Sequence, residues 1–164
     1  MTNDSYLRQT DIFFELTNLQ IELIASISQE RTYNSGDIIF EENSTGDELY
    51  VIGKGEVEIF VSTELIGRAS EQGPQAIATL RRGQCFGEVA LVDEGLRSAG
   101  ARAVEKGTLL VVVPRDRLMR MCETYPDLGF RLMRNLAADL AMKIRNTDLQ
   151  MRDYLAQINK HNNT

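Results

Sequence analysis

In Glu56-Val57-Glu58-Ile59-Phe60-Val61, positions 57, 59 and 61 are apolar and β-branched, and the even positions begin with two glutamates. That is the period-two pattern of a strand with one wet face. Similar strand-like runs occupy Asp37 to Glu41, Glu48 to Ile52, Gln75 to Leu80 and Thr108 to Val113. Glycines at 36, 46, 55, 67, 73, 83, 95 and 107 punctuate them, mostly beside Asp, Asn, Glu, Ser or Lys. Turn signals about 8–12 residues apart predict a sandwich or barrel. Glu64 to Gly73 reads as a long hairpin loop, and no βαβ alternation supports a doubly wound sheet.

Both ends of the chain carry a helical pattern instead. Thr17-Asn18-Leu19-Gln20 has the form of a capping box, and Leu19, Leu23, Ile24 and Ile27 follow at helical spacing. The spacing predicts a helix over about 18–28. After Val113, Pro114-Arg115-Asp116-Arg117 ends the strand pattern and opens a short helix. Pro126 and Asp127 then suit a first helical turn. Leu132, Leu136, Leu140 and Ile144 repeat every four residues, and the stripe continues through Met151, Tyr154, Leu155 and Ile158. A helix of about 30 residues spans roughly 45 Å. A small β-barrel cannot cover that length, so a second copy of the same helix is the simplest partner for the remainder. The alternative is an intramolecular helix with a frayed end. The expected organisation is an N-terminal helical segment (1–30), a β core (31–114) and C-terminal helices (115–164) acting as lid and dimerisation element.

Composition narrows the classes of function. The chain has 164 residues, with 24 acidic against 18 basic side chains and a net charge of −6. That length supports about one domain. The acidity argues against nonspecific nucleic-acid binding, which needs clustered Lys and Arg. The longest apolar run, Leu109 to Val113, is far short of the ~20 residues a membrane span needs. Met1 to Gln9 lacks a signal-peptide core. Cys85 and Cys122 are expected to be reduced thiols in a cytoplasmic protein. The single histidine, His161, lies in the polar tail. His-based catalysis and His-rich metal sites are therefore disfavoured.

Chemistry concentrates in Phe86 to Ala103, FGEVALVDEGLRSAGARA. Gly87 permits close backbone approach, and Glu88 to Val92 fits one helical turn whose free amides attract an anion. In the strand-like run that follows, Arg97 shares a face with Ala99, Ala101 and Ala103, opposite Ser98, Gly100 and Arg102. An arginine among small apolar neighbours demands a paired anion. A guanidinium, a hydroxyl and oriented amides suit a phosphate. Glu88 would repel that phosphate unless it faces a hydroxyl on the same ligand. A 3′,5′-cyclic nucleotide, with its free ribose 2′-hydroxyl beside the phosphate, meets both demands. The alternative is an internal Arg97–Glu88 salt bridge that only closes the barrel.

The Gly-Glu-x-Ala-Leu start and Arg-Ser-Ala finish within Gly87 to Ala99 resemble the phosphate-binding cassette of the cyclic nucleotide-binding domain family. The similarity extends through Gly36 with Ile38-Ile39-Phe40, Gly46 to Ile52, Lys54 to Val57, Gly83 to Phe86 and Tyr125-Pro126-Asp127, from about Asp11 to the 150s. It implies a mainly β fold: a double-stranded β-helix (jelly roll or β-roll) with an N-terminal helix and a long C-terminal helix. It implies a ligand, cyclic AMP with cyclic GMP possible, and no prosthetic group. By resemblance, Glu88 accepts from the ribose 2′-hydroxyl, Arg97 neutralises the phosphate, and Ser98 donates to it with amides near Gly87, Val89 and Ala90. Ile59 and Ile77 form an apolar wall around ribose and base.

Two departures stand out. Where the family's transcription-factor branch has a Thr-Ser pair contacting the base across a dimer, this chain has Lys143 and Ile144. The base contact is then expected from Lys143, Asn146 or Thr147, and Ser98 in place of Thr leans toward adenine. Second, the residues after Gln150 are too few for a helix-turn-helix domain, so direct DNA reading is not expected. The leading expectation is a homodimeric sensor that moves its C-terminal helices on binding and acts through an unknown downstream protein. A ligand-free dimerisation scaffold, or a fragment of a larger transcriptional regulator, is the alternative. An enzyme on a jelly-roll scaffold lacks the necessary His cluster, and haem or iron–sulfur sensing lacks ligands.

Overall fold

The computed structural model describes residues 2–62 and 73–162. The predicted loop at Glu64–Gly73 falls, apart from Gly73, outside them. Helices α1 (Asn3–Leu7) and α2 (Asn18–Ile27) flank a 3-10 turn at Asp11–Phe13. Strands β1 (Gln29–Tyr33), β2 (Ile38–Phe40), β3 (Glu48–Lys54), β4 (Glu56–Val61), β5 (Gln75–Arg81) and β6 (Cys85–Phe86) follow. Then come α3 (Val89–Val92), β7 (Gly100–Ala103), β8 (Thr108–Pro114), α4 (Arg115–Thr124) and α5 (Pro126–Asn162).

The strands form two four-stranded antiparallel sheets, ordered β1-β8-β3-β6 and β2-β7-β4-β5. The expected mainly β roll with flanking helices is the observed architecture. The Thr17 capping box forms as read: Thr17 Oγ1 accepts from the Gln20 amide at 3.2 Å, and Gln20 Oε1 accepts from the Thr17 amide at 2.9 Å.

Two strands carry continuous apolar runs, 49–52 and 109–113, because both of their faces are covered. In β3, Leu49 and Val51 face the helical core with Leu118, Leu128 and Leu132, while Tyr50 and Ile52 face the interior between the sheets. In β8, Val111 and Val113 face the helices and Leu110 and Val112 the sheet interior. Period two thus sorts one continuous hydrophobic run into two cores.

Helix α5 has 37 residues, so it extends about 55 Å. Leu128, Leu132 and Leu136 are buried against the roll. From Ile144 onward, Leu149, Met151, Tyr154 and Leu155 are all more than half exposed. Among the described residues no helix is long and apolar enough to cross a membrane.

Leu132 is fully buried where α5 meets the sheet and the other helices. Leu132→Ala is expected to cost about 2–5 kcal/mol, read by urea denaturation with an unchanged m-value.

Candidate functional site

The cassette is placed by register. Strand β6 pairs with β3 at Tyr50↔Phe86 and Val51↔Cys85. Tyr50 and Phe86 stack with centroids 5.0 Å apart and an interplanar angle of 10°. Gly87 then turns the chain at φ 74, a left-handed conformation that side chains resist. A Cβ there would lie 2.8 Å from Arg97 Nη1 and 3.0 Å from the Glu48 carbonyl. The turn delivers Glu88 to the start of α3. From the other sheet, the loop before β7 delivers Arg97. The Arg97 amide donates to Ser44 O and its carbonyl accepts from the Asn43 amide, both at 2.8 Å. The loop before β3 therefore clasps the arginine by its backbone.

Glu88 and Arg97 are 6% and 7% exposed. They are not paired with each other, so the internal salt bridge weighed above is absent. The Arg97 guanidinium donates to two backbone carbonyls, Gly87 O at 3.2 Å and Glu48 O at 3.0 Å. It lies 4.3 Å from the Phe40 ring centroid and 5.9 Å from that of Tyr50. Its Nε has no partner among the described residues. Gly46 makes the niche possible, because a Cβ there would stand 2.2 Å from Nε.

The Glu48 carboxylate is committed elsewhere. It takes a two-pronged bond from Arg31 at 2.6 and 2.9 Å and a third from the Tyr50 hydroxyl at 2.7 Å. Burial alone would raise the Glu48 pKa. The Arg31 and Tyr50 hydrogen bonds outweigh burial and hold the carboxyl below its ordinary value. Arg97 is thus a buried cation satisfied by dipoles and ring faces, with no carboxylate of its own.

Glu88 has a different cation. Lys143 Nζ, from α5, lies 2.9 Å from Glu88 Oε1, 3.1 Å from the Cys85 carbonyl and 3.0 Å from Asp139 Oδ2. Burial alone would lower the Lys143 pKa, but Glu88 and the neighbouring groups hold it above the ordinary lysine value. The donor atoms of Cys85, Glu88 and Asp139 lie within 4.8 Å of one another, a spacing that could hold a metal ion. An ammonium already fills that place. Burial pushes the Cys85 thiol up to about 12, so it stays protonated at neutral pH and is a poor ligand.

The remaining predicted residues divide. Ser98 is exposed and precedes β7, which begins at Gly100, so the strand predicted from Arg97 starts three residues later. Arg97, Ala101 and Ala103 are buried, but Ala99 is only partly so and Gly100, placed on the opposite face by the alternation, is buried too, because Arg97 to Ala99 precede the strand. Of the cassette amides, that of Ala90 already donates to the Gly87 carbonyl at 3.2 Å, because the helical turn closes on itself. Val89 is 46% exposed. Ile59 packs on the sheet interior, whereas Ile77 is the extra residue at a bulge between the Ile59↔Ala78 and Phe60↔Ala76 pairs and is 49% exposed. Asn146 and Thr147 are exposed on α5, and the Thr147 hydroxyl donates to the Lys143 carbonyl.

Sequence reasoning missed Gly46, Glu48, Tyr50, Phe40 and Asp139. Only Asp139 left a local signal, its i,i+4 spacing to Lys143. A surface cleft of about 340 Å3 beside the cassette is lined by Thr45, Gly46, Asp47, Ala90, Glu94 and Arg115. Neither Arg97 nor Glu88 opens onto it.

A buried glutamate opens the Gly-led helical turn, and a buried arginine follows it in the loop before β7. The chain belongs to the cyclic nucleotide-binding domain family, whose model matches residues 30–125. It is 34% identical over 145 residues to the cyclic AMP receptor protein of Thermus thermophilus, covering 88% of this chain and 62% of that one. It is 29% identical over 124 residues to human cGMP-dependent protein kinase 2, covering 76% of this chain and 16% of the kinase. The crystal structure of Thermus thermophilus catabolite activator protein superposes with a TM-score of 0.71 at 33% identity, covering 87% of this chain and 62% of that one. The chain therefore spans under two thirds of the length of these relatives.

Gly46→Ala is expected to force the guanidinium from its niche, lowering stability by about 1–3 kcal/mol in urea denaturation. In an Arg97→Leu background, where no guanidinium faces the new methyl, the same change should cost much less.

Proposed function

We propose that this chain is a regulatory binding module for a 3′,5′-cyclic nucleotide, with cyclic AMP the preferred ligand. The observation that carries the reading is the Arg97 guanidinium, 7% exposed with an unpartnered Nε and no carboxylate. A buried cation held only by carbonyls and ring faces favours an anion. The phosphate would take the guanidinium fork, with Ser98 and the cassette amides completing its shell, and Glu88 would take the ribose hydroxyl. Ile59 and Ile77 would line the base and sugar. The division into residues 1–30, 31–114 and 115–164 fits this role, the β core binding and the last helices reporting. Preference for adenine rests on Ser98 after the arginine and on the 34% identity to a protein named for cyclic AMP. A cyclic GMP reading is favoured by the kinase relative and separates from the first in the same assay.

Signalling would pass through α5, since Lys143 on that helix touches the cassette. The apolar residues Ile144, Met151 and Ile158 recur every seven residues with Tyr154 and Leu155 beside them, and all are at least 37% exposed. That seam suits a second copy of α5 in a homodimer.

Thermal shift should show selective stabilisation by cyclic AMP over cyclic GMP and the linear monophosphates, because a ligand favouring the native state raises its melting temperature. Arg97→Leu should stay folded yet bind about tenfold or more weakly in calorimetry, given the worth of a charge-assisted bond. No stabilisation by any cyclic nucleotide would leave the scaffold reading.

Sedimentation should report a dimer that Ile144→Glu with Met151→Glu converts to monomer without unfolding the roll.

A further inference from the structure

The Lys143 contact has a feature that a simple ion pair does not require. An ammonium carries three donors, and Lys143 directs its charge at three acceptors: the Cys85 carbonyl on β6, Glu88 Oε1 at the cassette and Asp139 Oδ2 one turn back on α5. The Asp139 contact, at 3.0 Å, is an ion pair whose alignment falls short of a hydrogen bond. The Glu88, Asp139 and Lys143 side chains are 8%, 11% and 33% exposed, so the group is largely shielded from water. Only one oxygen of Glu88 is used. Glu88 Oε2 has no partner among the described residues.

Asp139 lies four residues before Lys143 and draws the lysine back along its own helix, the favourable order for an acid–base pair. The Cys85 carbonyl fixes the ammonium against β6. The ammonium is therefore held at two further points while it grips Glu88. A carboxylate gripped by one oxygen loses its rotational freedom and presents the other in a fixed direction.

We propose that Lys143 is the positioning residue for sugar recognition. It anchors Glu88 through Oε1, so that Oε2 is left to accept the free ribose hydroxyl of the ligand. The inference rests on the cyclic nucleotide reading above and deepens it. Recognition of ribose over deoxyribose becomes a property of α5 as well as of the cassette. It also gives Lys143 a role different from the base contact expected from sequence, since its ammonium is spent on the protein's own acceptors. A lysine does this where a shorter hydroxyl side chain could not, because only the long stem spans from α5 to the cassette.

The test is calorimetry of the full chain with cyclic AMP and with its 2′-deoxy analogue. The wild type should prefer the ribonucleotide by about tenfold or more, the worth of a hydrogen bond to a charged group. Lys143→Met should bring the two affinities to within about twofold, by weakening the ribonucleotide and sparing the deoxy analogue, which retains the Arg97 contact. Lys143→Arg should restore the preference in part. Because Lys143→Met leaves Glu88 without its cation, Glu88→Gln provides a second background. There, adding Lys143→Met should leave the ribo-to-deoxy ratio unchanged. A preference that survives in Lys143→Met, or equal weakening of both nucleotides, overturns the proposal. So does a further fall of the ratio in the Glu88→Gln background, which would mean that Lys143 touches the ligand directly. If the wild type binds neither nucleotide, the cyclic nucleotide reading fails as well.

Discussion

A guanidinium closed into the interior and bonded to no carboxylate is the constraint around which the rest is arranged. Transfer of a cation from water into such a place is costly, and dipoles repay it only in part. Two carbonyls and the faces of Phe40 and Tyr50 supply what compensation there is. The backbone is shaped to permit it. Gly46 and Gly87 leave room that any side chain would fill, and Asn43 and Ser44 pin the arginine's own main chain. The neighbouring carboxylate of Glu48 is hydrogen-bonded to Arg31 and Tyr50, so it feels the Arg97 charge without bonding to it. A fold that needed only a closed barrel would place an apolar side chain there.

Much of the architecture could be read from the chain, because hydrophobic pattern and turn chemistry agree in it. The capping box at Thr17 is a local signal and forms as read, whereas the period-two pattern of β4 breaks at a bulge between Ile59 and Phe60, so that Phe60 is buried and Ile59 and Val61 only partly so. The predicted strand at Asp37–Glu41 shrinks to Ile38–Phe40, while β3, β5 and β8 match within two residues. Strand β1, Gln29–Tyr33, was hidden because Gln-Glu-Arg carries no apolar alternation; it is paired on one side only, against β8, and partly exposed. Strand β6 has two residues, too few to show any period. The helix α1 is short and mostly polar, and only Leu7 of it is buried.

The candidate site was legible in its chemistry and not in its partners. Arg97 among alanines announced a buried charge, and the structure places it so. That its donors would go to the Gly87 and Glu48 carbonyls, 10 and 49 residues away along the chain, is a tertiary outcome. Lys143 was visible only as a residue out of place beside Ile144. Its reach to Glu88 depends on where α5 lies on the roll, which the burial of Leu128, Leu132 and Leu136 decides. Packing of one helical face thus fixes an ion pair about two turns beyond Leu136. The same geometry joins the helix that would report binding to the carboxylate that would sense the sugar.

One N–H group, that of Arg97 Nε, reports most directly on the buried charge. Nitrogen-15 NMR can follow the Arg97 Nε–H resonance in the free protein and during titration with cyclic AMP, with Arg97→Leu identifying the signal. A buried guanidinium awaiting an anion should show an Nε–H without a strong acceptor in the free chain, which shifts downfield and exchanges more slowly as nucleotide is added. A resonance that neither moves nor gains protection at saturating nucleotide would contradict that reading.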